Sequence, residues 1–156
     1  MAILRKDSVP ETEAVSGYPE PWNLGRGFLS YRHITEAGGL TQFGAAVETL
    51  LPGKQSSQMH WEEHEDEFLY MLSGELTVVE NGEETVIGPG DACCWKAGVP
   101  VAHCLRNHGD RPATYLIVGS RVPHNICHYP GLDLLATSEG YTHLDGTPYP
   151  TKGETE

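Results

Sequence analysis

The punctuation of this chain limits its fold more than any other feature. From Phe28 to Ser120, short apolar runs follow one another, and most of them stop at Gly, Pro or Asn. The clearest piece is "ELTVVENGEETVIGPGD", residues 75–91. Two alternating runs flank Asn81-Gly82, a dipeptide favoured in two-residue hairpin turns because both central positions tolerate a positive φ. The runs "FLSYRHI", "TQFGAAVETLLPG", "EFLYMLSG", "ACCWKAG", "VAHCLRN" and "ATYLIVGS" complete the pattern. Together they predict about eight short strands, spaced as in an all-β sandwich or barrel. No amphipathic helix is evident between them, and "LDLLATSEG" near residue 135 suggests at most one helical turn.

A length of 156 residues suits one domain with a real core. Residues 1–27 are rich in Pro, Gly and charge and read as an extended arm, either loose or lying against a partner subunit. Residues 28–140 hold the strands. Residues 141–156, "YTHLDGTPYPTKGETE" among them, read as loop and frayed terminus.

Charge excludes some partners. Ten basic and 22 acidic residues give a net charge of -12, which repels phosphate backbones and anionic membranes. No nucleic-acid or membrane partner is therefore expected. No run of about 18 apolar residues predicts a transmembrane helix. The N-terminal "MAILRKDSVP" lacks the apolar stretch of a secretory signal. The four cysteines, at 93, 94, 104 and 127, form no C-x-x-C pair. A cytoplasmic protein with reduced thiols is expected. Cys93-Cys94 reads as a buried strand pair.

The chemistry concentrates in "HWEEHEDEFLYMLSG", residues 60–74. Two histidines and five acidic residues sit within the eight positions 60–67, at the mouth of an apolar run. In a regular strand His60, Glu62 and His64 share a face, because residues two apart do. Glu67 has the wrong parity, which a bulge or turn between 62 and 67 corrects. Imidazole and carboxylate are common ligands of divalent metals, and His103 on a later apolar run is the distant histidine that would complete a set. Trp61 and Cys104 should face away from such a site by alternation. Leu69, Met71, Val101 and Leu105 should line an apolar cup around it, with Asn107 further along.

These residues resemble the two motifs of the cupin superfamily. The first, G-x5-H-x-H-x4-E-x6-G, is matched by Gly53, six residues, His60, Trp61, Glu62, four residues, Glu67, six residues and Gly74. The second, G-x5-P-x-G-x2-H-x3-N, is matched by Gly90, five residues, Lys96, Ala97, Gly98, four residues, His103, three residues and Asn107. The chain departs from the pattern in three ways. Glu62 stands where the motif has its second histidine, Lys96 replaces the motif proline, and two spacings are longer. The resemblance spans roughly residues 40–120 and is similar in its flanks to small single-domain bacterial cupins.

The resemblance implies a double-stranded β-helix, a jelly-roll-like barrel, that commonly assembles as a homodimer. It implies one divalent metal ion, Zn, Fe, Mn or Ni, held by His60, Glu62, Glu67 and His103, with His64 as the other candidate for the place that Glu62 occupies. Glu62 and His64 are the candidates to move a proton. The expected activity is metal-dependent chemistry on a small oxygenated metabolite such as a sugar derivative, an organic acid or a related carbonyl compound. Isomerase, lyase, decarboxylase and dioxygenase reactions all fit. A non-catalytic binding or sensing module is the alternative, and the missing second histidine favours it.

Overall fold

The computed structural model describes residues 2–150. Every run read as a strand from 28 to 120 is one: β2 (Arg26–His33), β3 (Phe43–Leu50), β5 (Glu67–Ser73), β6 (Leu76–Glu80), β7 (Glu83–Ile87), β8 (Ala92–Trp95), β9 (His103–Arg106) and β10 (Ala113–Ser120). Short strands too brief to show a period join them: β1 (Thr12–Val15), β4 (Trp61–Glu62), β11 (Cys127–His128), β12 (Leu135–Thr137) and β13 (Gly140–Thr142). The expected helical turn near 135 is instead β12, which pairs with β13 across residues that sequence assigned to a loop tail. A five-residue helix, α1 (Ile34–Gly38), is the one helix among the described residues.

The strands form three antiparallel sheets, in the orders β1-β2-β3-β10-β5-β8, β13-β12-β11-β4 and β7-β6-β9. Turn chemistry sets the hairpin of β6 and β7: Asn81 (φ 52°) and Gly82 (φ 78°) are both left-handed, as their type of turn demands. Gly74, between β5 and β6, has φ 79°, and a Cβ there would lie 2.7 Å from Ala113 Cα. Both the dihedral and the close backbone approach require glycine at that corner.

Alternation then builds the interior. On β5, Leu69 and Met71 are buried while Phe68, Tyr70 and Leu72 are exposed. Leu50, Leu76, Leu105, Ala113 and Tyr115 join them in the main core. One polar pair lies among these residues: Tyr115 Oη donates to Glu48 Oε2 at 2.7 Å. Asn107, 1% exposed, donates to the carbonyls of Leu50 and Arg111 and accepts from Gly109 N–H, so it ties the β9–β10 connection to β3.

A second cluster joins the two ends of the chain. Cys127, Tyr129 and Leu134 are buried there beneath Tyr18, Trp22, Tyr141 and Tyr149. Trp22 Nε1 donates to Tyr149 Oη at 3.4 Å, and Gln58 Nε2 donates to the Trp22 carbonyl at 2.8 Å. The segment expected as an arm thus packs on its own chain, with β1 paired to β2 and Ala14 in the main core. Cys93 is half-buried and Cys94 exposed, which corrects the expectation of a buried pair; all four thiols are free. No helix among the described residues is long and apolar enough to cross a membrane.

Candidate metal centre

Three distant residues converge at one end of the core. His60 and His103 face each other across an antiparallel bridge, with His60 N–H donating to the His103 carbonyl at 3.1 Å and His103 N–H returning to the His60 carbonyl at 2.9 Å. The chain continues through β4 and then bends at 63–64, and β5 starts in a different sheet. That bend resolves the parity conflict: Glu67 opens β5 on the face of Leu69 and Met71. Its Oε2 lies 3.0 Å from His103 Nε2 and 3.6 Å from His60 Nε2. One ligand atom from each of His60, Glu67 and His103 falls within 4.8 Å of the other two.

Neighbours orient each ring. His60 Nδ1 is 2.9 Å from the Gln58 carbonyl, so its Nε2 is left for the centre. His103 is 4% exposed and stacks on Trp95 with ring centroids 3.8 Å apart and planes 6° from parallel. Trp95 Nε1 in turn donates to Glu80 Oε2 at 2.9 Å. Burial by itself would push the Glu67 carboxyl up, but His103 and His60 outweigh it and hold Glu67 well below the usual carboxylate range. Burial pulls His60 down, and Glu67 more than reverses this, so His60 is raised. Despite these attractions, Glu67 Oε2 and His103 Nδ1 are buried with no hydrogen-bond partner among the described residues. Two imidazole nitrogens aimed at an orphaned carboxylate oxygen form the donor set that a divalent ion completes.

Comparison with known proteins agrees with this architecture. Residues 46–119 match the family model described as the cupin domain. A crystal structure of a sugar phosphate isomerase from a cupin superfamily, from Silicibacter pomeroyi, is 34% identical, with TM-score 0.86, covering 97% of this chain and 98% of that one. The chain belongs to the cupin superfamily. A proposed sugar phosphate isomerase from Acidithiobacillus ferrooxidans is 26% identical with TM-score 0.70, over 75% of this cupin and 76% of that chain. A proposed oxalate decarboxylase from Thermotoga maritima, 24% identical with TM-score 0.61, shares the fold over 78% of this cupin and the whole of that chain. No curated protein matches the sequence.

Of the residues that sequence singled out, this cupin brings His60, Glu67 and His103 together. Glu62 stands beside them in a second donor group with His60 and Cys127, where β4 pairs with β11. Burial, then repulsion from Glu67, push the Glu62 carboxyl up to about 7. His64 is placed elsewhere: it is exposed at the corner, 3.8 Å from Glu63.

A cavity of about 230 Å³ opens above the centre. Its wall differs from the apolar cup expected. Leu69, Met71 and Leu105 belong to the core below, and only Val101 of the expected four lines the space. The wall instead carries Glu62, Glu65, Glu67 and Glu80, with Lys96 at one side. Trp61, Trp95 and Val99 supply apolar surface. Trp61 was expected to face away; it both lines the cavity and stacks flat on His128 at 4.3 Å. Strand parity gave no sign of Glu80, because β6 lies in another sheet, and the Trp95–Glu67 pairing that marks Trp95 appears only with the register. Cys104 lies outside the cavity wall, buried at 1% exposure on the face opposite His103.

Proposed function

We propose that this cupin is a metal-dependent enzyme acting on a small oxygenated metabolite, a sugar derivative or a related carbonyl compound. The observation that carries the reading is the orphaned Glu67 Oε2 between two imidazole nitrogens at the floor of a cavity. His60, Glu67 and His103 would hold one divalent ion of the Zn, Fe, Mn or Ni type, with Glu62 the fourth candidate ligand. Such an ion supplies Lewis-acid polarisation of a carbonyl or enediolate oxygen.

The chain's own residues supply the rest. The stack of Trp95 on His103 fixes the imidazole plane, so its donor atom need not be ordered when a ligand arrives. Trp61, Val99 and Val101 give that space apolar wall against which a carbon skeleton can pack. Glu62 lies beside His60 and on the cavity wall, outside the His60–Glu67–His103 set, and where it does not ligate the ion it is the candidate to take or return a substrate proton. Isomerisation beside a carbonyl needs an electrophile at the oxygens, a base that takes the proton from one carbon and returns it to the other, and passage of the hydroxyl proton to the former carbonyl oxygen. The relative from Silicibacter pomeroyi, described as a sugar phosphate isomerase, supports that class over decarboxylation. A second reading, a module that binds its metabolite without turning it over, draws on Glu62 in place of the motif histidine.

The test starts with metal content of untreated protein, followed by turnover on aldoses, ketoses and small keto acids. His60→Ala and His103→Ala should each lose the metal while keeping the far-ultraviolet spectrum of the barrel. Full metal occupancy in both variants refutes the assignment, and stoichiometric metal with saturable binding but no product favours the module.

A further inference from the structure

We infer that the cavity selects an uncharged, hydroxylated molecule, one without a phosphate or other dianionic group. The inference rests on the functional reading above only in placing the substrate in this cavity. Phosphate is held by Arg forks, lysines, nests of backbone N–H groups or the N-termini of helices. Among the described residues of the wall, Lys96 is the one Lys or Arg, and it is exposed. A neighbouring cavity of about 330 Å³ shares Glu62 and Glu65 with the first and has neither Lys nor Arg among the described residues of its lining. The cations stand elsewhere. Lys54 and Arg106 border a separate depression, and Arg106 is 3.4 Å from Glu84. The one helix among the described residues, α1, has five residues and lines neither cavity.

Four carboxylates face that single ammonium. Two of them are fixed by contacts that leave them acceptors: Glu65 Oε1 takes the Val122 N–H at 2.7 Å, and Glu80 Oε2 takes the Trp95 indole N–H at 2.9 Å. Each keeps further lone pairs for hydroxyl donors, which a sugar has in number and a phosphate ester dianion lacks at its charged end. A divalent ion at the centre would balance Glu67 and Glu62 as its ligands, which leaves Glu65 and Glu80 on the wall against the one ammonium of Lys96. A second dianion would then enter a partly desolvated space of its own sign, where like charges repel several times more strongly than in water. The net charge of -12 adds to this field.

The experiment uses the full chain and matched pairs: glucose and glucose 6-phosphate, fructose and fructose 6-phosphate, ribose and ribose 5-phosphate. Binding is followed by calorimetry and tryptophan fluorescence, in metal-loaded and in chelator-stripped protein. The uncharged sugar of at least one pair should bind, with its phosphate at least about tenfold weaker, the effect of a like charge in such a medium. The double variant Glu65→Gln, Glu80→Gln should narrow that gap, because both substitutions keep an acceptor and remove a charge. A phosphate that binds as tightly as its sugar, or tighter, overturns the inference, and so does failure of every uncharged sugar to bind. Metal content is measured on the same samples. Absence of metal sinks the metal-dependent reading without touching the charge comparison, which the stripped protein also reports.

Discussion

Tyr115→Phe isolates one buried polar contact and predicts how its value changes with pH. Tyr115 is 1% exposed and fills the core, and its ring survives the substitution, so little packing is lost. What disappears is the 2.7 Å donation from Oη to Glu48 Oε2. Burial raises the Glu48 carboxyl above its ordinary 4.5, Tyr115 opposes that rise, and Glu67 adds to it. The sign follows. A carboxyl whose folded value is raised binds its proton more tightly in the folded state. Its contribution is therefore complete below about 4.5 and is lost as pH climbs through the folded value. Removing Tyr115 Oη raises Glu48 further, so the variant falls behind the wild type progressively with pH.

Near pH 4 the loss is that of a neutral hydrogen bond, about 1 kcal/mol. Once Glu48 ionises in the wild type, the lost bond is one to a charged group, about 1.5–3 kcal/mol. For a domain of this size each kcal/mol shifts Tm by about 2–4 °C, so the gap in Tm should grow from about 3 °C to about 6 °C or more. Urea or thermal unfolding of chelator-stripped protein between about pH 4 and about pH 9 measures it. A loss that is equal across this range, or that shrinks as pH rises, refutes the account of Glu48 as a carboxylate stabilised by Tyr115.

Two further perturbations test the site and the surface. Glu62→His restores the second histidine of the motif and should shift preference toward Ni and Cu, read by competition between metals; an unchanged order would remove Glu62 from the ion's surroundings. The exposed Phe68, Tyr70 and Leu72 on the outer face of β5 form, with Leu116 and Val118 of β10, the apolar surface across which we propose that two copies pair. Tyr70→Asp should then convert a dimer to a monomer in sedimentation without changing the circular dichroism spectrum, and a wild type already monomeric at micromolar concentration would end that proposal.

The strands from 28 to 120 were legible because two local signals agreed in each: alternation along the run and a turn residue at its end. The hairpin at Asn81-Gly82 shows how little is needed, since two left-handed residues fix a register that five pairs then follow. Neither signal exists for β4 or β11, which have two residues each. They form because tertiary contacts hold them. The contact of Trp22 with Tyr149 spans 127 positions, a separation at which no local pattern survives. Tyr18 and Trp22 from the expected arm and Tyr141 and Tyr149 from the expected tail close the second cluster around Tyr129.

The centre and its surroundings separate for a related reason. His60, Glu67 and His103 were legible because their order matches the motif; parity alone would have set Glu67 apart, and the bend at 63–64 removes that conflict. Parity says which face of a strand a residue occupies; it does not say at what height along the barrel it sits. Leu69 and Met71 share the face of Glu67 and were therefore assigned to the cavity, but each is one further step toward the closed end, where the core begins. The wall at the height of Glu67 is supplied by other strands and loops: Trp95 by its pairing with Glu67, Glu80 by its bond to Trp95, and Glu65 from the bend before β5. Height is set by register between sheets, which depends on contacts far apart in the chain. The candidate ligands could thus be read from the motif, whereas the acidity of the cavity wall becomes visible only once the sheets are assembled.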